Sequence, residues 1–167
     1  MAKRAKKPTH KTTSTLIADG ISQAFSEIEE LGSSMREWFD NCNENLQQSD
    51  KMQTVEQTAD TLEGLSEPDL PDWLTPEQSD EGPRFDHVEA NITPLAYSRR
   101  SRATRCSDTA SLLQNIVDRL NEIEEEEEAK KEKDKNQDKI DEIGSLRDEL
   151  ENAISELEGC EFPGMYG

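Results

Sequence analysis

The feature that most constrains this chain is a stripe of apolar side chains beginning at Ile17. Ile17, Ile21, Ala24, Ile28, Leu31, Met35, Trp38 and Cys42 alternate spacings of four and three residues, and Phe25, Phe39 and Leu46 widen the stripe. Such spacing places the whole set on one face of an α-helix for about four heptads. A lone helix in water cannot sustain that face, so the seam requires a packed neighbour. The helix is expected over 15–47, with Ser14 or Thr15 as its N-cap. Gly20 and Gly32 lie inside it and each weaken it by about 1 kcal/mol relative to alanine, so packing must supply what propensity lacks. After Leu46 the phase slips at "QQSDK". A second stripe of Met52, Val55, Ala59 and Leu62 predicts a shorter helix near 50–64, ended by Gly64 and by Pro68 and Pro71.

Two further stripes occupy the C-terminal third. Leu113, Ile116, Val117, Leu120 and Ile123 predict a helix over about 108–131, capped by Ser107 or Asp108. Ile143, Leu146, Leu150, Ala153, Ile154 and Leu157 predict another over about 138–158, stopped by Gly159. Between them lies "NEIEEEEEAKKEKDKNQDK", almost wholly charged. Carrying the first register across this run reaches Asp141 and Gly144, so the two stripes are out of phase. That offset, with Asn136 suited to a turn and Asp138 to an N-cap, favours two helices folded back on each other over one kinked helix or a disordered tip. The acid-first pairs Glu126–Lys130 and Glu127–Lys131 help the first helix extend into the run.

Only 31% of the 167 residues are hydrophobic and 5% aromatic, against about 45–50% apolar in ordinary domains, so a thick globular core is not expected. The fold class read from these patterns is all-α: an elongated helical hairpin or coiled-coil bundle, with a disordered N-terminal tail and an extended central linker. Its regions are a basic tail over 1–13, a helical region over 14–65, a linker with a basic end over 66–106, a helical hairpin over 107–158 and an aromatic tail over 159–167, where Phe162, Met165 and Tyr166 either cover core or dock a partner.

The net charge of −19 is unevenly laid out. Residues 1–12 sum to +5, including Lys3, Arg4, Lys6 and Lys7, and residues 97–106 to +4, from Arg99, Arg100, Arg102 and Arg105. Residues 13–96 sum to −16 and 107–158 to −11. The two basic segments could hold nucleic acid weakly, without sequence preference, by counterion release. The acidic body points elsewhere: carboxylates on stiff helices can imitate phosphates and occupy the basic groove of a nucleic-acid-binding protein as a decoy. In the linker, "EPDLPDWLTPEQ" sets Leu70, Trp73 and Leu74 at i, i+3 and i+4. That is the spacing of a short amphipathic segment anchored by tryptophan in a partner's groove. The alternative is intramolecular, with Trp73 pinning the linker to the chain's own helices.

Catalytic, cofactor and metal sites are not expected. Cys42, Cys106 and Cys160 are odd in number and without a CxxC pair, so free thiols are anticipated. His10 and His87 have no ligand-like neighbours, and no dinucleotide, P-loop, nucleophile-elbow or EF-hand pattern occurs. Neighbouring carboxylates such as those in "EIEE" and "DELE" read as solvated helix faces. The N-terminus lacks the apolar stretch of a secretory signal, and no run approaches the roughly 18 apolar residues of a membrane span, so a soluble cytoplasmic protein is expected, with neither membrane nor small-molecule substrate as its partner. The combined expectation is a non-enzymatic helical interaction or assembly protein, with self-association as the simplest way to bury the seam.

Residues 97–167, with "YSRRSRATRCSDTASLLQNIVDRLNEI" and the ending "ELEGCEFPGMYG", resemble small, acidic, uncharacterised helical proteins of bacteriophages and other mobile elements. The resemblance implies a bacterial host cytoplasm and a non-enzymatic role. It assigns no activity and no residue.

Overall fold

The structure, a computed structural model, describes residues 13–74, 89–92, 95 and 101–164. In chain order its elements are β1 (Thr13–Leu16), α1 (Ile17–Asn41), α2 (Glu44–Gln47), α3 (Asp50–Glu63), β2 (Glu89–Ile92), α4 (Arg102–Glu128) and α5 (Gln137–Glu158). The protein is mostly helical, with one small sheet that corrects the all-α expectation. Thr13–Leu16 pairs antiparallel with Glu89–Ile92, Thr13 opposite Ile92 and Leu16 opposite Glu89. Ser14 and Thr15 therefore do not cap α1. The N-cap position is Leu16, without a side-chain hydrogen bond. Local reading missed this because the partner strand lies more than seventy residues away, and loop closure over that distance leaves no short-range pattern.

The single helix expected over 15–47 is broken at Asn43, and the shorter helix expected near 50–64 has its own cap at Ser49. Asn43 accepts a hydrogen bond from the Leu46 amide at 3.1 Å, and Ser49 from the Met52 amide at 3.3 Å. Each side chain satisfies an orphan donor of a new first turn, which makes restarting cheaper than continuing. α1 thus ends at Asn41, α2 is one turn, and α3 runs back along α1. The antiparallel sense is visible in their contacts: Arg36 meets Asp60 and Glu63, while Cys42 Sγ lies 3.6 Å from Met52 Sδ. Gly32 allows this approach, since a β-carbon there would sit 3.2 Å from Leu62 Cβ.

α4 begins earlier than its stripe implies, because Ser101 caps it by accepting from the Thr104 amide at 3.2 Å. Arg102 and Arg105 consequently stand in its first turns and not at the end of a linker. The helix stops at Glu128, and Asn136, not Asp138, caps α5 by accepting from the Lys139 amide at 3.1 Å. α5 lies antiparallel to α4, with Arg147 bonded to Asn121 and Glu124 near one end and Cys106 Sγ donating to the Leu157 carbonyl near the other.

α1 and α4 join the two helix pairs. Gly20 faces Ile116, Arg105 reaches Glu27, and Arg102 reaches Ser34, so these helices also run antiparallel. Ile17, Ile21, Ile28, Leu31 and Met35 are buried here in one core with Val55, Leu62, Leu113, Ile116, Leu120, Ile143 and Leu150. Ala90 and Ile92 of the ribbon join the same core. Burying each large aliphatic side chain stabilises by about 1.5–3 kcal/mol, so the seam's requirement for a neighbour is met within one chain. A second copy is not needed to cover it, which removes the argument from the seam to self-association. A chain of low apolar content manages this because each helix buries only a narrow stripe.

Candidate interaction surface

The described cations are largely turned to the chain's own carboxylates. Arg36 of α1 binds Asp60 and Glu63 of α3. Arg105 of α4 binds Glu27 and Glu30 of α1. Arg119 bonds Glu122 at 2.9 Å and, through Nε, donates to the Glu89 carbonyl of β2 at 2.9 Å. Arg147 bonds Glu124 at 2.6 Å. These are partly exposed rim contacts, between helices for Arg36, Arg105 and Arg147 and within α4 for Arg119 and Glu122, and such pairs contribute about 0–1 kcal/mol. Their effect on the surface is larger than their effect on stability. With the arginines engaged inside interfaces, the outward faces keep carboxylates such as Glu29, Glu37 and Asp40 on α1 and Asp141, Asp148 and Glu149 on α5, all exposed.

One glutamate of the charged run departs from this pattern. Glu127 is 3% exposed. Its Oε1 accepts from the Asn136 amide at 2.9 Å, and its Oε2 lies 2.7 Å from Lys130 Nζ and 3.8 Å from Lys139 Nζ. The Lys130 hydrogen bond, then the Asn136 amide, holds this carboxyl below its ordinary range against the opposing effect of burial. Glu127 thereby ties the end of α4 to the start of α5 across residues 129–136. Sequence reasoning passed over it as one of five consecutive glutamates. A signal was present, because 116, 120, 123 and 127 continue the apolar stripe by helical steps.

The linker triplet lies against the chain's own helices. Leu74 is 1% exposed within the core, and Leu70 and Trp73 are half-buried against it. The Leu74 amide donates to the Pro71 carbonyl at 3.0 Å, closing one turn. Trp73 Nε1 donates to Glu142 Oε2 at 2.9 Å, and Lys139 Nζ stands 4.8 Å from the centre of its ring. Of the two destinations that the spacing allowed, these residues occupy the intramolecular one. In the seam set, Trp38 differs from its neighbours: it is only half-buried, with Arg102 Cζ at 5.1 Å and Lys51 Nζ at 5.7 Å from its ring centre. Nearby in sequence, Leu46 is the large apolar side chain left exposed among the described residues.

Of the basic candidates, Arg102 and Arg105 face α1, where Arg102 also donates to Ser34 Oγ at 2.9 Å. Lys3, Arg4, Lys6, Lys7, Arg99 and Arg100 lie outside the described residues, as do His10, His87, Met165 and Tyr166. Phe162 is half-buried against the core. Among the described residues no helix is long and apolar enough to cross a membrane, and no group of three His, Cys, Asp or Glu side chains is placed to hold a metal ion.

No protein-family model, curated protein or solved structure matches the chain.

Proposed function

We propose that the protein is a non-enzymatic helical interaction protein that offers its acidic faces to a basic surface on a protein partner. The observation that carries this reading is the internal engagement of Arg36, Arg105, Arg119 and Arg147. Their positive charge is committed to carboxylates of the same chain, so a packed scaffold presents the excess of carboxylates outward. An array held on helices that already pack against one another loses little conformational freedom on binding, and its field speeds encounter with a basic partner. The decoy function is the sharpest form of the reading: the partner is then a nucleic-acid-binding protein whose phosphate groove the carboxylates fill. A bacterial host during phage or mobile-element activity is the setting that the resemblance of residues 97–167 supports.

The nucleic-acid reading loses support from Arg102 and Arg105, since both are occupied at the α1–α4 interface. It rests on Lys3, Arg4, Lys6, Lys7, Arg99 and Arg100 alone. The test of the leading reading is retention of host proteins on the immobilised full chain. Basic nucleic-acid-binding proteins should be retained in low salt, eluted by raised salt, and displaced by duplex DNA added in competition. Retention indifferent to salt, or no basic protein retained, rejects it.

A further inference from the structure

A feature unused by that reading lies where the C-terminal segment leaves α5. Cys106, in the second turn of α4, and Cys160, just past the Gly159 C-cap, are far apart in sequence and meet at one carbonyl. Cys106 Sγ donates to Leu157 O at 3.4 Å, and the Cys160 amide donates to the same oxygen at 3.2 Å. The Cys160 thiol donates to the neighbouring Glu156 carbonyl at 3.3 Å, so the two side chains are held at consecutive carbonyls of the last turn of α5. Both line a cavity of about 410 Å³ bordered by Ser107, Ala110, Glu158 and Phe162. That is ample for a small oxidant, as liquid water occupies about 30 Å³ per molecule. Cys106 is buried, whereas Cys160 is half-exposed and so reachable.

We infer that Cys106 and Cys160 form a reversible redox pair, oxidised by a hydroperoxide to an intramolecular disulfide that fastens the C-terminal segment to α4. Cys160 is the attacking sulfur. It is the thiol that an oxidant can reach, and the neighbouring Cys106 lowers its pKa, whereas the neighbouring Cys160 and burial hold Cys106 as the neutral thiol. The Cys160 thiolate attacks the nearer peroxide oxygen, the O–O bond breaks, and the leaving oxygen departs as water after taking a proton. Cys160 is left as a sulfenic acid. Cys106 then gives up its proton and attacks the Cys160 sulfur, the S–O bond breaks, and a second water leaves. In sum, two thiols and one hydrogen peroxide give one disulfide and two waters.

The geometry suits closure. A disulfide needs the two α-carbons within about 4.4–6.8 Å, and Cys106 Sγ already reaches the carbonyl to which the Cys160 amide is bonded. The remaining approach falls on residues 159–161, which follow the helix and can adjust without breaking its ladder. Thr58 of α3 donates to the Glu161 carbonyl at 2.8 Å, so the bridge would secure the same short segment that links α5 to α3. Cys42 stands apart, against Met52.

The test uses the reduced full chain and hydrogen peroxide, followed by alkylation, intact mass and tryptic mapping without reductant. The expected product has lost two hydrogens and carries Cys42 alkylated. Peptides 106–119 and 148–167 should be joined, and they should separate on adding dithiothreitol. Its thermal midpoint should exceed that of the reduced protein by several degrees. In Cys106→Ser, Cys160 should accumulate as a sulfenic acid trapped by dimedone, and Cys42→Ser should behave as the unaltered chain. Three alkylated thiols after peroxide, a bridge that includes Cys42, or a bridge between chains would overturn the proposal. The unaltered protein gives the primary readout, so the proposal stands or falls on it even where a variant fails to fold.

Discussion

Replacing Glu127 by alanine is expected to cost about 3 kcal/mol of folding stability near pH 7. The carboxylate's bond from the Asn136 amide at 2.9 Å is a hydrogen bond to a charged acceptor, a class that contributes about 1.5–3 kcal/mol. Lys130 approaches to 2.7 Å, but its side chain is 49% exposed, so its pairing adds no more than about 1 kcal/mol. Alanine's better helix propensity returns a few tenths. In Glu127→Gln the acceptor for Asn136 and most of the volume survive, so that variant should lose only about 1 kcal/mol. The comparison also has a pH signature. The folded-state pKa of Glu127 is depressed below the ordinary 4.5, so its charge stabilises fully above that value and the contribution is lost as pH falls through the folded pKa. The gap between the native chain and Glu127→Gln should therefore be full near pH 7 and close as pH falls below the ordinary carboxylate range. Urea unfolding followed by far-UV circular dichroism measures both quantities. An alanine variant within about 0.5 kcal/mol of the native chain, or a gap that widens on acidification, would refute the role assigned to this side chain.

Ile28→Asp should lower stability by more than about 4 kcal/mol, through a charge placed in the core and the loss of packing, and circular dichroism should show loss of helix. The two interior glycines of α1 should respond differently to alanine. At Gly20 the new methyl meets Ile116 Cδ1, the far end of a side chain, at 3.0 Å, whereas at Gly32 it meets Leu62 Cβ at 3.2 Å and the Glu63 backbone nitrogen at 3.5 Å. Calorimetry should rank Gly20→Ala as the more stable variant. Arg105→Ala should cost about 1 kcal/mol or less, shrinking further in high salt, because its partner Glu30 is largely exposed; a salt-independent loss above about 2 kcal/mol would contradict a screened rim contact. On a Trp38→Phe background, the fluorescence of Trp73 should be blue-shifted and partly shielded from quenchers in the isolated protein, and Leu74→Ala should cost about 2–4 kcal/mol and unshield it. A fully quenchable Trp73 would show that the linker is not held as described.

Helix identity was largely legible in the amino-acid sequence, because it depends on neighbours a few residues away, whereas both ends of α1, the start of α4 and the cap of α5 lie elsewhere than the stripes implied. The stripes from Ile17 to Met35, Met52 to Leu62, Leu113 to Ile123 and Ile143 to Leu157 mark the faces that the structure buries. The phase slips after Leu46 and beyond Ile123 fall where the chain restarts. What covers each face was decided by the tertiary structure alone. Periodicity states that a side is apolar, but another helix of the same chain and a second copy satisfy it equally, and only the packing of α1 against α3 and α4 chose between them. The pairing of Thr13–Leu16 with Glu89–Ile92, the seat of Leu74, and the meeting of Arg105 with Glu27 join residues distant in sequence. Local propensity is indifferent to such pairings. Glu127 shows the same division within one residue: its helical step was written in the sequence, but its burial depended on where residues 129–136 brought Asn136 and Lys139. Charge, which dominates this composition, says that a side chain prefers water or a partner, and three-dimensional packing decides which one it has.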